Sequence, residues 1–275
     1  MIFDARNVDE VPASIKGDTV IVGAGTVGLF LGINLAQANK SVILVEAGGR
    51  IANTAGNSKT GESLGKPHTG VLLGRAAGLG GTSVLWGGQL AEFDEADLTQ
   101  QGMSWPIRYT ELRRWYDHVY KVLGITGQLG NDVYQRAFGG EVDAHPSIER
   151  FFTSWLPQPN FAKLFHRELL SNPSLRIVLN AAVNEIRFEG EGAREVWAAT
   201  REGRRIQING DNFVFAAGTI ENNRFFLTSQ RLTAVPWKFS QKIGRSFQDH
   251  LIGKVAEVKI IDERRVRLQS DRRLT

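Results

Sequence analysis

The 275-residue sequence predicts an α/β fold in which a parallel sheet carries an inserted antiparallel β-meander. Two observations predict it. Residues 19–45 comprise a short β-branched run, a glycine-rich turn, an apolar helical segment and a second apolar run, and such continuous apolar strands are typical of a parallel sheet covered on both faces. From residue 175 the pattern changes to short strands whose connections are rich in glycine and asparagine, which is typical of antiparallel β-structure.

The composition excludes several classes of protein. Hydrophobic residues make up 42% of the chain, as in an ordinary globular protein, and the absence of cysteine rules out disulfide scaffolds, thiolate metal sites and cysteine nucleophiles. The net charge is +4, with 11 basic and 5 acidic residues in the last 45 positions. This basic end lacks interleaved aromatic residues and any reader motif, so we predict no nucleic-acid partner.

The longest apolar run, residues 20–36, is interrupted by four glycines and an asparagine. We therefore predict a buried strand, turn and helix there, with no membrane span and no signal peptide, and hence a cytoplasmic protein.

The remaining elements follow in chain order. Residues 1–17 are predicted to be irregular, and residues 47–70 to be a long surface connection. A helix is expected to begin at an N-cap on Thr110 and to end at Gly124, with Trp115 on its buried face. A single helix is predicted over 161–170. Strands are predicted at residues 175–179, 184–188, 195–199, 205–208 and 212–216, with a turn at Asn209-Gly210, then a helix over 220–227 and a strand over 255–260.

The first candidate site is the motif Gly23-x-Gly25-x-x-Gly28, placed between a predicted strand and helix. Its glycines permit a tight turn, a close approach of the backbone to a pyrophosphate, and packing of the helix on the strand. Glu46 lies 21 residues past Gly25, at the end of the next strand, where its carboxylate can accept both ribose hydroxyls of an adenosine and disfavours a 2′-phosphate. The pattern predicts a Rossmann-like dinucleotide site, and by itself it leaves FAD and NAD open.

The second candidate site is a glycine-rich block over residues 74–88 that also carries Leu79, Val84, Leu85 and Trp86. Such a loop brings backbone N–H groups close to a flat or anionic ligand, and flexible linkers seldom contain so many large apolar residues. We interpret it as a second contact with the same cofactor. Trp86 either faces the ligand or packs behind the loop.

These residues resemble the glucose–methanol–choline (GMC) oxidoreductases, which are FAD enzymes, in five segments that occur in the family's order. They are the Gly23–Glu46 unit, Gly78-Leu79-Gly80-Gly81-Thr82-Ser83, Trp105-Pro106-Ile107-Arg108-Tyr109 with the helix after it, Ala216-Ala217-Gly218-Thr219-Ile220-Glu221, and Gly244-Arg245-Ser246-Phe247-Gln248-Asp249-His250.

The resemblance implies a Rossmann-like FAD-binding domain in two parts, residues 18–99 and 175–250, the second with the meander. It further implies a substrate domain represented by a helical and loop segment over 100–174 and an incomplete start over 251–275. The chain resembles the N-terminal half of the family.

The resemblance also implies roles for individual residues. The glycines of the first motif would hold the FAD pyrophosphate and Glu46 the ribose, the backbone at Val183 would lie by the adenine, and residues 80–83 would lie against the flavin. Leu85 stands where some relatives carry a histidine bonded to FAD, so noncovalent FAD is expected. The predicted cofactor site consists of Gly23, Gly25, Thr26, Val27, Gly28, Glu46, Ala47, Arg75, Gly78, Gly80, Gly81, Thr82, Ser83, Trp86, Gly87, Gly88, Val183, Ala217, Gly218, Asp249 and His250.

As a member of this family the protein would oxidise a small-molecule alcohol, such as a sugar or polyol, by hydride transfer to flavin N5 while a histidine base takes the hydroxyl proton. The family's histidine lies in the C-terminal half, after Thr275, so no catalytic residue and no metal ligand are assigned here. Two alternatives remain. One is a truncated or split FAD-binding fragment without turnover, with a C-terminal half or partner chain supplied elsewhere, and the other is an NAD-dependent dehydrogenase.

Overall fold

The structure is a computed structural model that describes residues 1–55, 62–65, 68, 70–99, 105–125, 153–232, 234–249, 254 and 257. The candidate His250 lies outside these residues, and so does the predicted strand over 255–260 apart from residue 257. The chain divides into two compact units, the first formed by residues 1–86 and 158–248 and the second by residues 87–157 and 249–275. The domain boundaries expected from the sequence remain predictions.

The first unit is built on a seven-stranded sheet. Its strands are β1 (Ile2–Asp4), β2 (Ser14–Val22), β3 (Val42–Val45), β6 (Leu175–Leu179), β7 (Ala182–Glu189), β8 (Gly192–Ala199) and β9 (Arg205–Phe215), in the spatial order β1-β6-β3-β2-β9-β8-β7. The first five strands in this spatial order are parallel to one another: β1, β6, β3, β2 and β9. Strands β8 and β7 extend the sheet in antiparallel pairing. This arrangement confirms the predicted α/β fold.

The helices of this unit are α1 (Thr26–Gln37), α2 (Gly70–Leu73), α5 (Phe161–Leu164), α6 (His166–Ser171) and α7 (Thr219–Leu232), with a 3-10 turn at Gly81–Val84. Helix α1 packs on the sheet through Leu29 and Ile33, both at most 1% exposed. At Gly32 an added Cβ would lie 3.5 Å from side-chain atoms of Ile21 and Leu44, so the helix approaches the sheet closely there. The same approach brings the start of α1 to the ends of β2 and β3, where the candidate site lies.

Three sequence predictions for this unit are wrong. Residues 1–17 contain β1 and the start of β2, since Ile2 pairs with Ile177 across the sheet, a pairing no local pattern reveals. The expected turn at Asn209-Gly210 is absent, because β9 runs straight through it. Gly210 faces Gly17 of β2, and a Cβ there would lie 2.7 Å from Val20 Cγ2, so this glycine serves close strand packing. The single helix predicted over 161–170 is two short helices that meet at Phe165.

In the second unit the described elements are β4 (Gln89–Leu90), paired antiparallel with β5 (Ser154–Trp155), and the helices α3 (Glu95–Leu98) and α4 (Tyr109–Val122). The N-cap of α4 is Arg108, whose backbone N–H donates to Glu111 at 2.9 Å, and not the predicted Thr110. The prediction that Trp115 is buried is also wrong. Trp115 is 54% exposed, and its ring contacts Arg114 and His118 of the same helix.

Within the part of the chain that the structure describes, no helix is both long enough and apolar enough to cross a lipid bilayer.

Candidate functional site

The first glycine turn joins the end of β2 to α1 and is held by backbone contacts. Gly23 has φ +107°, and a Cβ there would lie 2.6 Å from the Ala216 carbonyl oxygen. Its N–H donates to the Val45 carbonyl oxygen at 2.7 Å. At Gly28 a Cβ would lie only 1.9 Å from the Gly23 carbonyl oxygen. Both positions therefore require glycine for the fold itself.

Gly25, the N-cap of α1, is different. Its φ is −82°, a value that any residue adopts, and the nearest atom to an added Cβ would be Gly81 Cα at 3.9 Å. No side chain caps the helix, and its first turn holds no acidic residue. The beginning of α1 thus combines N–H donors, the positive end of the helix dipole and space free of protein atoms, which is the combination that binds phosphate groups.

The second glycine segment, which we define as residues 78–81, lies directly against this turn. The Gly80 N–H donates to the Ala24 carbonyl oxygen at 2.9 Å. Gly81 has φ +51°, and a Cβ there would lie 2.7 Å from Gly25 Cα. Two stretches separated by about fifty residues of chain therefore touch through backbone alone, and a side chain at Gly81 would force them apart.

Glu46 lies beneath this contact and is only 7% exposed. Its Oε2 accepts the Ala24 N–H at 2.8 Å, and its Oε1 accepts the N–H groups of Gly48 at 2.8 Å and Gly78 at 2.9 Å. Burial raises the pKa of the Glu46 carboxyl above its ordinary value, while the backbone N–H groups act in the opposite direction.

These three bonds limit what Glu46 can offer a ligand. A carboxylate has about four lone-pair positions, and three of them face backbone donors. At most one of the two ribose hydroxyls expected from the sequence can then find an acceptor on Glu46 without loss of a backbone contact.

The neighbouring residues Thr82 and Ser83 point in opposite directions. Ser83 is 2% exposed, and its hydroxyl donates to the Gly80 carbonyl oxygen at 2.6 Å and accepts the Phe161 N–H at 3.0 Å. Thr82 is exposed. Of the four residues predicted to lie against a flavin, Gly80, Gly81, Thr82 and Ser83, two have side chains beyond a hydrogen atom. Thr82 presents its side chain to the surface, whereas Ser83 ties the turn to α5.

Trp86 contacts the residues that lead into α5, and its predicted place beside the cofactor stays a prediction. Its indole Nε1 donates to the Pro159 carbonyl oxygen at 2.9 Å, and its ring centroid lies 6.2 Å from that of Phe161.

Arg75 forms an ion pair that the sequence patterns do not predict. Its Nη1 lies 2.7 Å from Glu221 Oε1 in the first turn of α7, and its Nε donates to the Val71 carbonyl oxygen at 2.8 Å. Glu221 also pairs with Arg224 at 2.6 Å. The only sequence signal was the presence of Glu221 at the end of the Ala-Gly-Thr segment.

The structural role of Asn222 is likewise not predicted by the sequence patterns. Its Oδ1 accepts the Ala217 N–H at 3.1 Å and its Nδ2 donates to the Phe215 carbonyl oxygen at 3.0 Å. This amide shapes the turn between β9 and α7, in which Gly218 has φ +83° and no atom within 4 Å of an added Cβ.

The other predicted site residues are placed as follows. The start of β7 is drawn to the Glu46 loop, because the Ala181 N–H donates to the Glu46 carbonyl oxygen at 2.9 Å, and Val183 follows two residues later. Thr26 and Val27 lie in the first turn of α1, and Ala47 is exposed beside Glu46. Gly87, Gly88 and Asp249 belong to the second unit.

In the described ranges, no three histidine or acidic side chains lie close enough together to hold a metal ion.

Comparisons with known proteins add to this geometry. No protein-family model matches the sequence, and no curated protein matches it. Among solved structures, pyridoxine 4-oxidase from Mesorbium loti matches with a TM-score of 0.52 at 19% identity, over 80% of this chain and 52% of that chain. The chain shares the fold of that oxidase. Formate oxidase also matches, with a TM-score of 0.49 at 16% identity over 79% of this chain and 48% of that chain. This chain thus spans about half the length of the proteins that it matches.

Proposed function

We propose that this chain binds FAD noncovalently and forms the FAD-binding part of an oxidoreductase that oxidises a small-molecule alcohol, such as a sugar or polyol. The observation that carries the proposal is the space at Gly25. Two glycine segments meet at the start of a helix with an uncapped N-terminus, and the position of a Cβ on Gly25 is left free of protein. The shared fold with pyridoxine 4-oxidase and the ordered motifs resembling GMC oxidoreductases support the same assignment.

The residues present fit this cofactor. The N–H groups of Thr26, Val27 and Gly28 at the start of α1 would bind the pyrophosphate, with no acidic side chain in that turn to repel it. Glu46 would accept one ribose hydroxyl. Leu85, 46% exposed, has a hydrocarbon side chain that cannot form a covalent bond to a flavin. Bound FAD would supply an acceptor for a hydride equivalent.

The second glycine segment favours FAD over NAD. A Rossmann turn with its acid is sufficient for NAD, whereas here a further glycine-rich stretch is built onto the turn and tied down by Ser83 and Arg75. An NAD-dependent dehydrogenase is therefore the alternative that the binding experiment tests.

A form that binds FAD without turnover is the second candidate. The observation that favours it is the 52% share of pyridoxine 4-oxidase that this chain spans.

The test is to purify the protein and titrate the apoprotein with FAD and, separately, with NAD. We expect saturable binding of FAD with a protein-bound flavin spectrum, and no binding of NAD at the same concentrations. Anaerobic addition of a panel of sugars and alcohols then separates the two candidates, since bleaching of the flavin shows turnover and an unchanged spectrum supports the fragment. A protein that binds no FAD at all contradicts both.

A further inference from the structure

The carboxylate of Glu46 contacts three separate parts of the chain. It accepts N–H groups from the first glycine turn through Ala24, from its own loop through Gly48, and from the second glycine segment through Gly78, at 2.8, 2.8 and 2.9 Å. Hydrogen bonds to a buried ionisable carboxyl are among the stronger ones in proteins. A single side chain therefore joins both glycine segments.

Apart from Glu46, the second glycine segment is held by the burial of Leu79, which is 8% exposed, by the bond from the Ser83 hydroxyl to the Gly80 carbonyl oxygen, and by a few backbone bonds. The contact of Gly81 with Gly25 is between two glycines and buries almost no apolar surface. Besides Glu46, the direct bonds are Gly80 N–H to Ala24 O at 2.9 Å and Leu79 N–H to Gly49 O at 3.0 Å. Gly78, Gly80 and Gly81 all have positive φ, so this stretch loses more conformational entropy on ordering than an average segment.

We propose that Glu46 is a positioning residue that holds the second glycine segment against the first glycine turn, whether or not a nucleotide is bound. This role differs from ribose recognition, because it acts on the protein alone. The proposal deepens the proposed FAD function. Its ligand-binding test depends on that function, whereas its test on the apoprotein does not.

The loop around Glu46 is shaped for this role. A Cβ on Gly48 would lie 2.4 Å from the Gly78 nitrogen, so the backbone after Glu46 comes into direct contact with the second glycine segment. The second glycine segment thus packs against Gly48 and is hydrogen-bonded to the carboxylate of Glu46, two residues earlier in the same loop.

Two variants test the proposal. Glu46→Gln keeps the size of the side chain, but its amide NH₂ cannot accept and faces at least one backbone donor. Glu46→Asp keeps the charge on a side chain shorter by one methylene, which cannot reach Ala24 and Gly78 together. The matched control is Glu191→Gln, the same change at an exposed position of the β7–β8 connection.

The first measurement is amide hydrogen exchange of the apoprotein, with no nucleotide present. We expect exchange over residues 78–81 to be at least about tenfold faster in Glu46→Gln than in the wild type, with α1 unchanged as an internal reference and Glu191→Gln unchanged throughout. If Glu46→Gln does not fold, the same comparison is made on Glu46→Asp. Wild-type exchange over residues 78–81 in a folded Glu46 variant overturns the proposal.

The second measurement compares the affinities of AMP and FAD, which share the adenosine ribose. If Glu46 serves only the ribose, Glu46→Gln weakens both ligands by the same factor, and that result contradicts the proposal. If it positions the second segment, FAD loses at least about tenfold more affinity than AMP. Should the wild type bind neither ligand, the proposed function fails, and the exchange measurement on the apoprotein still decides the role of Glu46.

Discussion

Two glycines of one motif are glycine for different reasons. Gly28 has no room for a Cβ because the Gly23 carbonyl oxygen lies 1.9 Å from where it would be. At Gly25 the same atom would meet nothing nearer than 3.9 Å, and the backbone has an ordinary φ. The fold itself requires glycine at position 28, whereas at position 25 only a bound ligand would require it.

We therefore expect Gly25→Ala to fold normally and to lose FAD. Its melting temperature should fall by only a few degrees, because the poorer N-cap costs about 1 kcal/mol and the added methyl group meets no protein atom closer than 3.9 Å. Its FAD affinity should fall by at least about 100-fold, because the methyl group occupies the place of the pyrophosphate. Thermal unfolding and FAD titration measure the two effects.

Gly28→Ala is the control for this substitution and should fail to fold, because its methyl group overlaps a backbone oxygen. Wild-type affinity for FAD in a folded Gly25→Ala variant would show that the pyrophosphate does not lie there.

Ser83 and Thr82 form a second matched pair. Ser83→Ala leaves the buried Phe161 N–H without its acceptor, and we expect the free energy of unfolding to fall by about 1–3 kcal/mol. Thr82→Ala changes an exposed side chain and should alter stability by no more than about 0.5 kcal/mol. Denaturant unfolding of both variants without FAD checks this, and equal effects would refute the inward placement of Ser83.

At the level of the secondary-structure elements, an ion pair connects helix α7 to the loop after α2. Glu221 is shared by Arg75, whose side chain is 16% exposed, and Arg224, whose side chain is 57% exposed. Screening by water weakens the more exposed pair, so the two arginines should contribute unequally although both lie within hydrogen-bond distance.

Double-mutant cycles measure this difference. Arg75→Ala combined with Glu221→Ala should give a coupling energy of about 1 kcal/mol, and Arg224→Ala combined with Glu221→Ala a value below about 0.5 kcal/mol. The Arg75 coupling should also persist better as salt is added. The reverse order of the two couplings would mean that α7 is not held through Arg75.

On the scale of the whole molecule, ligand binding should appear as stability. A ligand that binds only the folded state raises the free energy of unfolding by about 2.7 kcal/mol at 100 times its dissociation constant. We expect FAD to shift the unfolding transition of the wild type in this way, and NAD to leave it unchanged. Gly25→Ala supplies the control without a shift, and an equal response to FAD and NAD would argue for the dehydrogenase.

What the sequence determined by itself is local in origin. The strand, glycine turn, helix and strand of residues 19–45, and the position of β6, follow from patterns within a few residues, because hydrophobic periodicity and glycine placement are local signals. The glycine motifs also marked the two segments that the structure brings into contact.

Tertiary structure decided the rest, since it depends on what each segment meets. Pairing across the sheet made strands of residues predicted to be irregular and turned Gly210 from a turn residue into a packing residue. The inward direction of Ser83 and the N–H groups of Ala24 and Gly78 around Glu46 are likewise set by residues distant in the sequence. The exposure of Trp115 also depends on packing that the pattern of its helix does not determine. A sequence pattern shows that a carboxylate is present, but only the folded chain determines how many of its lone pairs remain for a ligand.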